Sequence, residues 1–151
     1  YNFKLMEFQA ALGLVQLKKA DWIIQRRQDN VKYLNEHLAV HEDLLQLPPY
    51  SDDVSYLAYP VVIKRPDLIS RKALRTALEA NGVETRPLFG CIPTQQPAYA
   101  HLRDRYAGRL PHAEYIGLHA FYVGCHQYLS QEDLERMVEA FHRSLAGKID
   151  A

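Results

Sequence analysis

Side chains that could bind a ligand are concentrated between residues 83 and 99. Arg86 stands directly before a proline, which restricts its backbone to an extended form, and its planar guanidinium can hold a phosphate or a carboxylate through two hydrogen bonds. Gln96, with Tyr99 close by, offers neutral donors and acceptors of the kind that bind sugar hydroxyls. Two interpretations of Arg86 stay open: an anion-binding residue, or a surface residue that pairs with nearby Glu84.

His126 is a second candidate because it follows a predicted strand and Gly124, and side chains at such loop positions often meet ligands. Cys125 stands beside it, but adjacent residues on an extended backbone point to opposite faces, so the two residues do not form a nucleophilic pair. We expect His126 to be a packed or hydrogen-bonded residue, with a ligand contact as the alternative. Cys125 and Cys91 are expected to be reduced, packed thiols.

Composition and spacing exclude several classes of function. The other histidines lack the spacing of a metal site, and two distant cysteines form neither a CxxC pair nor a thiolate zinc site, so we expect no metal. The 18 basic and 18 acidic side chains leave no net charge, which gives no support to a nucleic-acid or membrane partner. No apolar run approaches the ~20 residues of a membrane span. No signal-peptide pattern is visible, and the cytoplasm is the default location.

The helical part of the sequence comes first. Apolar residues recur every three or four positions from Leu5 to about Val40, which is the period of an amphipathic helix. A polar break at Ala20 and Asp21 divides this stretch into two helices, with Asp21 as the predicted N-cap of the second. We expect the first helix to pack closely against another domain or subunit, or else inside this domain, because it carries the small residues Ala10, Ala11 and Gly13.

Strands and further helices follow. Residues 41–54 carry turn chemistry and predict a loop. Extended segments are predicted at residues 56–63, 83–89 and 121–124, and helical segments at residues 70–80, 98–106, from 111 onward and at 130–145. Ser70 and Ser130 are predicted N-caps, and Gly82 is a predicted helix stop. This order predicts an α+β fold in which helices cover one face of a small, partly antiparallel sheet.

Two motifs carry a resemblance to a known family. The first is Tyr-Asn-Phe-Lys-Leu at residues 1–5, followed by Gln-Ala-Ala-Leu-Gly-Leu-Val-Gln-Leu at residues 9–17, and the second is Thr-Arg-Pro-Leu-Phe at residues 85–89. With weaker matches along the whole chain, these motifs resemble the nucleotide-sugar aminotransferases of the DegT/StrS type. The first motif is similar to the helix that follows the cofactor lysine in that family.

The resemblance implies a fold and a domain division. It implies the fold-type-I arrangement of pyridoxal phosphate (PLP) enzymes, with residues 1–40 as connecting helices that make interdomain and dimer contacts. Residues 41–151 would then form the small C-terminal domain. The large PLP-binding domain with the cofactor lysine is expected upstream, in a longer protein of which this chain is a part. On this view the chain alone carries no catalytic residue, binds no cofactor and is inactive.

The same resemblance implies roles for individual residues. Asn2 is expected to reach across a homodimer to the cofactor phosphate. Arg86 and Phe89 are expected to border the nucleotide-sugar pocket, with Gln96 and His126 as further neighbours.

The implied activity of the intact protein is transfer of an amino group from glutamate to a nucleotide-linked keto sugar, for surface-polysaccharide or cell-wall synthesis. Two alternatives stay open. The related sugar 3-dehydratases share this domain but use pyridoxamine phosphate (PMP), because histidine replaces the cofactor lysine. Residues 89–97 depart from the commoner aminotransferase pattern toward that branch. A non-catalytic binding or regulatory relative is the third possibility.

Overall fold

The computed structural model describes residues 4–88 and 92–146. Two helices come first in the chain, and strands and further helices then alternate. The helices and strands are α1 (Glu7–Leu17), α2 (Ala20–Leu38), β1 (Leu45–Gln46), β2 (Ala58–Ile63), α3 (Arg71–Ala80), β3 (Thr85–Pro87), α4 (Arg103–Tyr106), α5 (Pro111–His119), β4 (Ala120–Gly124) and α6 (Gln131–Leu145). Shorter 3-10 turns occupy Ala39–His41, Pro93–Gln95 and Pro97–Leu102.

The break between α1 and α2 lies where the sequence predicts it, but the cap is different. Lys18 and Lys19 keep right-handed dihedrals, with φ of −62° and −102°, so the chain barely leaves the helical path. Lys19 is therefore the N-cap, and Asp21 already lies in the first turn of α2. The prediction of Asp21 as N-cap was wrong, although a carboxylate in the first turn still interacts favourably with the helix dipole.

The sheet holds the described strands in the order β1-β2-β4-β3, and each neighbouring pair is antiparallel. Tyr59 pairs with Val123 and Val61 with Phe121, and all four side chains are buried on one face. Pro60 sits inside β2 without disrupting the sheet, since β1 pairs only with the last two residues of that strand.

The short strand β1 falls in the region that the sequence predicts to be a loop. Leu45 pairs with Ile63 and Gln46 with Val62, while Leu44 and Leu45 are both buried. Two residues carry no alternation that a pattern could reveal, and their pairing is fixed by a partner strand farther along the chain. The prediction of an uninterrupted loop over residues 41–54 was therefore wrong.

Helices α2, α3 and α6 pack together over the buried face of the sheet. Three local signals that mark helix ends are confirmed. The Ser70 hydroxyl accepts a hydrogen bond from the Ala73 backbone N–H, Gly82 has a φ of +82°, and Ser130 forms a capping box with Asp133. The largest fully buried side chains of this core include Tyr59, Phe121, Phe141, Leu34 and Leu38. The predicted α+β architecture is confirmed.

Helix α1 stands apart from this core. None of its residues is buried, and its apolar side chains Phe8, Leu12 and Leu14 are each about 60% exposed. The adjoining helix α2 changes character along its length, because Val31, Leu34 and Leu38 in its second half are fully buried. None of the described helices combines the length and the apolar character that crossing a bilayer requires.

Candidate functional site

Arg86 is positioned by strand β3. Its neighbour Thr85 is buried on the core side, where its hydroxyl accepts a hydrogen bond from Arg75 Nε at 2.8 Å and donates one to Glu79. Because side chains alternate along a strand, Arg86 projects from the opposite face, where it lies directly across from Tyr122 of β4. Helix α3 thus anchors β3 through one residue and presents the next one to solvent.

The guanidinium of Arg86 pairs with Glu84. Its Nε and Nη2 atoms lie 3.0 and 2.9 Å from Glu84 Oε1, and this hydrogen bond raises the pKa of Arg86. The arginine side chain remains 66% exposed. An ion pair this open to water contributes little to stability, so a ligand anion can take the place of the Glu84 carboxylate at little cost. The pairing expected as one interpretation is present, and it leaves the guanidinium available.

His126 lies in the loop that joins β4 to α6. Its side chain is exposed, and its Nδ1 atom accepts a hydrogen bond from the Tyr128 backbone N–H at 3.2 Å. Since Nδ1 accepts, the neutral ring carries its proton on Nε2, which can donate to a ligand oxygen. Cys125 points the other way: it is buried, and burial raises the pKa of its thiol to about 11. The two side chains thus lie on opposite faces, as the alternation of an extended backbone predicts.

Arg86 and His126 line the same groove, whose volume is about 660 Å³. Tyr122 and Gly124 also line it, and they occupy alternate positions of β4 on the face that carries Arg86. Asn81 to Glu84 and residues of α6 complete the lining. The structure thus brings together two of the residues that the sequence singles out, although they lie far apart along the chain.

The α6 wall of the groove carries both signs of charge. Asp133 accepts hydrogen bonds from the backbone N–H and the hydroxyl of Ser130, which with nearby Arg136 lower the pKa of its carboxyl to about 2. Arg136 in turn pairs with Asp133 and, at 3.8 Å, with Glu132. The groove is therefore rich in hydrogen-bonding groups without a net excess of positive charge, which suits a polar ligand better than a bare polyanion.

Gln96 is the one other predicted site residue that the structure describes, and it lies elsewhere. Gln96 is half-buried between two 3-10 turns, and it is not among the residues that line the groove. Asn2 and Phe89 lie outside the described residues, so their predicted roles stay predictions.

Tyr122 and Arg136 line the groove but were not predicted from the sequence. Tyr122 could have been found from the alternation of β4, which places it on the face opposite the buried Val123. Arg136 had no comparable signal, because its position beside the groove depends on how α6 packs.

The side chains of the groove can bind a ligand through hydrogen bonds. Arg86, Tyr122 and His126 present a guanidinium, a phenol and an imidazole to one space, which suits the oxygen atoms of a sugar or phosphate. Among the described residues no lysine lines the groove, and no three histidine, cysteine or carboxylate side chains are grouped to hold a metal. The groove therefore does not fit PLP held as a Schiff base, which needs a lysine.

A small antiparallel sheet covered on one face by helices is the fold that this chain shares with solved fold-type-I PLP aminotransferases. The model of the DegT/DnrJ/EryC1/StrS aminotransferase family matches residues 1–142, and the chain belongs to this family. The resemblance inferred from the two motifs is confirmed.

The curated relatives include named 3-dehydratases, GDP-perosamine synthases, a transaminase and a protein named by its pathway. The lipopolysaccharide biosynthesis protein RfbH of Salmonella typhimurium is 30% identical over 93% of this chain and 33% of its own length. A dTDP-4-dehydro-2,6-dideoxy-D-glucose 3-dehydratase of Saccharopolyspora spinosa is 32% identical over 97% of this chain and 32% of its own length. A GDP-perosamine synthase of Escherichia coli O157:H7 is 27% identical over 98% of this chain and 38% of its own length. The chain spans about a third of the length of these relatives.

The fold is shared with solved enzymes. PseC of Helicobacter pylori, an aminotransferase involved in the biosynthesis of pseudoaminic acid, superposes with a TM-score of 0.82 over 95% of this chain and 38% of its own. The sequences are 24% identical, so this likeness shows the fold alone.

Proposed function

We propose that the intact protein containing this chain binds a nucleotide-linked keto sugar and converts it with a PLP or PMP coenzyme. The observation that carries the proposal is the meeting of Arg86 and His126 in one groove, in a chain that belongs to the DegT/DnrJ/EryC1/StrS family. Arg86 would hold a phosphate of the nucleotide through its planar fork, and the Nε2–H of His126 would donate to a sugar or phosphate oxygen.

The coenzyme is proposed to bind outside the described residues, since the resemblance implies that the coenzyme site lies in another part of the intact protein. When bound, it withdraws electrons from the carbon atoms next to its nitrogen and so makes a proton or a hydroxyl of the sugar easier to remove. The contribution of this chain would be binding and orientation of the substrate. Asn2, which would reach across a homodimer to the coenzyme phosphate, and Phe89, which would border the sugar pocket, remain part of the proposal. So does a cytoplasmic location.

Residues 1–40 are proposed to join this small domain to the rest of the protein and to its partner subunit. The exposed apolar side chains of α1 support this role, because leaving that many of them in water is costly for a stable protein.

Removal of the hydroxyl at C3 is the reaction that we favour. The 32% identical relative is named a 3-dehydratase, and residues 89–97 depart from the commoner aminotransferase pattern. Amino transfer from glutamate is the second candidate, because the relatives also include a GDP-perosamine synthase.

A reduction experiment separates the two reactions. The protein from the complete reading frame is incubated with PLP, treated with borohydride, and weighed intact by mass spectrometry. A covalent adduct indicates a Schiff-base lysine and supports amino transfer, whereas bound coenzyme without an adduct supports the dehydratase. The 151-residue chain treated in parallel should gain no adduct. Failure of the intact protein to bind coenzyme at all contradicts the proposed activity and favours a non-catalytic binding protein.

The substrate site is tested by a matched pair of arginine variants. Arg65 forms a local pair with Asp67 two residues away, at 2.6 Å, as Arg86 does with Glu84, but it does not line the groove. In the intact protein, Arg86→Ala should weaken binding of GDP-mannose, dTDP-glucose or UDP-glucose, whichever binds best, by about tenfold, the loss of one charge-assisted contact. Arg65→Ala should leave that affinity unchanged. Equal affinities for both variants would remove Arg86 from the site.

A further inference from the structure

The loop that carries His126 is held by one face of α2. Trp22, Arg26 and Asn30 follow one another at intervals of four residues, so they lie on the same side of that helix. Each of them contacts the β4–α6 loop. The ring centroids of Trp22 and Tyr128 are 5.5 Å apart. Arg26 Nη2 donates a hydrogen bond to the Leu129 carbonyl at 2.9 Å, and Asn30 donates one to the carbonyl of His126.

Arg27 adds a further contact to the same loop. Its Nη2 and Nε atoms donate to Gln127 Oε1 at 3.2 and 3.3 Å. We call the contacts of Trp22, Arg26, Arg27 and Asn30 with residues 126–129 the α2 latch. The latched loop contains His126 and Leu129, and both of these residues line the groove.

Asn30 is the most constrained member of the latch. Its side chain is fully buried, and Nδ2 donates to the His126 carbonyl at 3.0 Å. The same carbonyl also accepts the Leu129 backbone N–H at 3.2 Å. The Oδ1 atom of Asn30 is buried without a hydrogen-bond partner among the described residues. A buried amide that leaves one polar atom unsatisfied costs stability, so a polar residue at this position indicates a requirement for its donor.

His126 is therefore fixed at two points. Asn30 holds its carbonyl from the α2 side, and the Tyr128 N–H holds Nδ1 of its ring from within the loop. With both points fixed, the Nε2–H has one direction in which to donate, and an oriented donor needs less ordering when a ligand binds. Arg86 differs, because the residues that hold its side chain are its neighbours in sequence.

We infer that Asn30 is a positioning residue, which through the carbonyl of His126 sets the imidazole for a nucleotide-linked sugar in the groove. This inference rests on the proposed function. It assigns to α2 a part in substrate recognition although the helix does not itself line the groove.

The test compares two buried amides of the same helix. Gln28 is buried as Asn30 is, and its Nε2 donates to the carbonyls of Asp52 and Val54 at 2.7 and 3.1 Å, in a loop away from the groove. Asn30→Asp and Gln28→Glu each replace an amide donor by an acceptor with almost no change in shape. Affinity of the intact protein for GDP-mannose, dTDP-glucose or UDP-glucose is measured by calorimetry, and stability by thermal unfolding.

We expect Asn30→Asp and His126→Ala each to weaken binding by about tenfold. The double variant should also weaken it by about tenfold and not by a hundredfold, because both substitutions act through one imidazole. Gln28→Glu should lower the unfolding temperature without changing the affinity. If Asn30→Asp does not fold, Arg26→Met removes a latch contact without burying a new charge, and the same non-additivity with His126→Ala is expected.

The outcomes separate the two proposals. A tenfold loss in His126→Ala with unchanged affinity in Asn30→Asp overturns the positioning role and leaves the site intact. A hundredfold loss in the double variant also overturns that role, since the effects are then independent. Unchanged affinity in His126→Ala, or no binding of the three nucleotide sugars by the unaltered protein, overturns the proposed site and the positioning role with it.

Discussion

Helices α1 and α6 stand at opposite ends of the chain, and they use their apolar side chains in opposite ways. In α1 none of the residues is buried, and the apolar ones occupy more than one side of the helix. In α6 the apolar residues form one stripe, and six are buried, namely Leu134, Met137, Val138, Ala140, Phe141 and Leu145. The opposite face of α6 carries charged pairs such as Arg143 with Glu139.

The difference shows that apolar content alone does not tell what a helix packs against. A stripe on one face needs cover on one side only, and the stripe of α6 is covered by the shared core, where the helix packs with α2 and α3. A helix that is apolar on several sides is stable only when it is covered on several sides, and an isolated helix of 11 residues is marginal in water. The described part of the chain supplies no such cover, so α1 is the region where proposed contacts with the rest of the protein belong.

The largest effect is expected from truncating a phenylalanine in each helix. Phe141 of α6 is fully buried and Phe8 of α1 is 60% exposed. In the 151-residue chain, Phe141→Ala should lower the free energy of unfolding by about 3–5 kcal/mol, because it removes buried surface and leaves a cavity. Phe8→Ala should change it by less than about 0.5 kcal/mol. Urea unfolding followed by circular dichroism measures both.

A marginally stable chain can lose its fold when Phe141 is truncated to alanine, so Phe141→Leu provides a milder step. This substitution should also lower the free energy of unfolding, but by less than Phe141→Ala does. Comparable losses at positions 8 and 141 would mean that α1 is packed in solution, and the contrast between the helices would disappear.

The features that the sequence predicted correctly are local ones. Ser70 and Ser130 are the N-caps of two helices, and Gly82 follows the end of one. These roles depend on contacts within a few residues, so they can be recognised from residue type and position. Strand β1 was missed because two residues acquire their structure only by pairing with β2. Asp21 was misplaced because the chain stays nearly helical through Lys19, which no residue type signals.

The candidate site also has features that could be predicted from local sequence and features that could not. Arg86 and His126 were singled out by type and local context, but their meeting in one groove depends on the pairing of β3 with β4. The contact of Asn30 with His126 joins residues 96 positions apart, and no sequence pattern reveals it. The sequence does carry one weak signal, because Arg26 and Asn30 lie four residues apart and place polar side chains on one face of α2. A polar face of this kind indicates contacts other than apolar core packing.

The second prediction concerns α1 in the intact protein. If another domain or subunit covers this helix, a charge placed on it must be buried without a partner, which is costly. Leu12→Arg should weaken dimer formation by on the order of 100-fold, about 2.7 kcal/mol, as measured by sedimentation. Leu57→Arg is the matched control, because Leu57 is 81% exposed and lies in the loop before β2, away from α1. Equal dimer affinities for the two variants would contradict the proposed role of residues 1–40.

The smallest effect concerns how α6 is attached, through a pair of histidines that has no counterpart in α1. His41, in the 3-10 turn after α2, is buried, and its Nε2 lies 2.7 Å from Nδ1 of His142 on α6. Burial, and next the nearby His142, lower the pKa of His41 below its ordinary value of 6.5. The folded protein therefore keeps His41 neutral at a pH where the unfolded chain protonates it.

The sign of the pH dependence follows from this shift. Below pH 6.5 the unfolded state binds more protons than the folded state, so acid favours unfolding. The contribution of His41 to stability is complete above the unfolded-state pKa and is lost as the pH falls from there toward the lower, folded-state pKa. His41→Gln should therefore flatten the fall in the free energy of unfolding between about pH 7 and pH 5. An unchanged slope in His41→Gln would show that the fall comes from other groups, and the contact of His41 with His142 would then play no part in it.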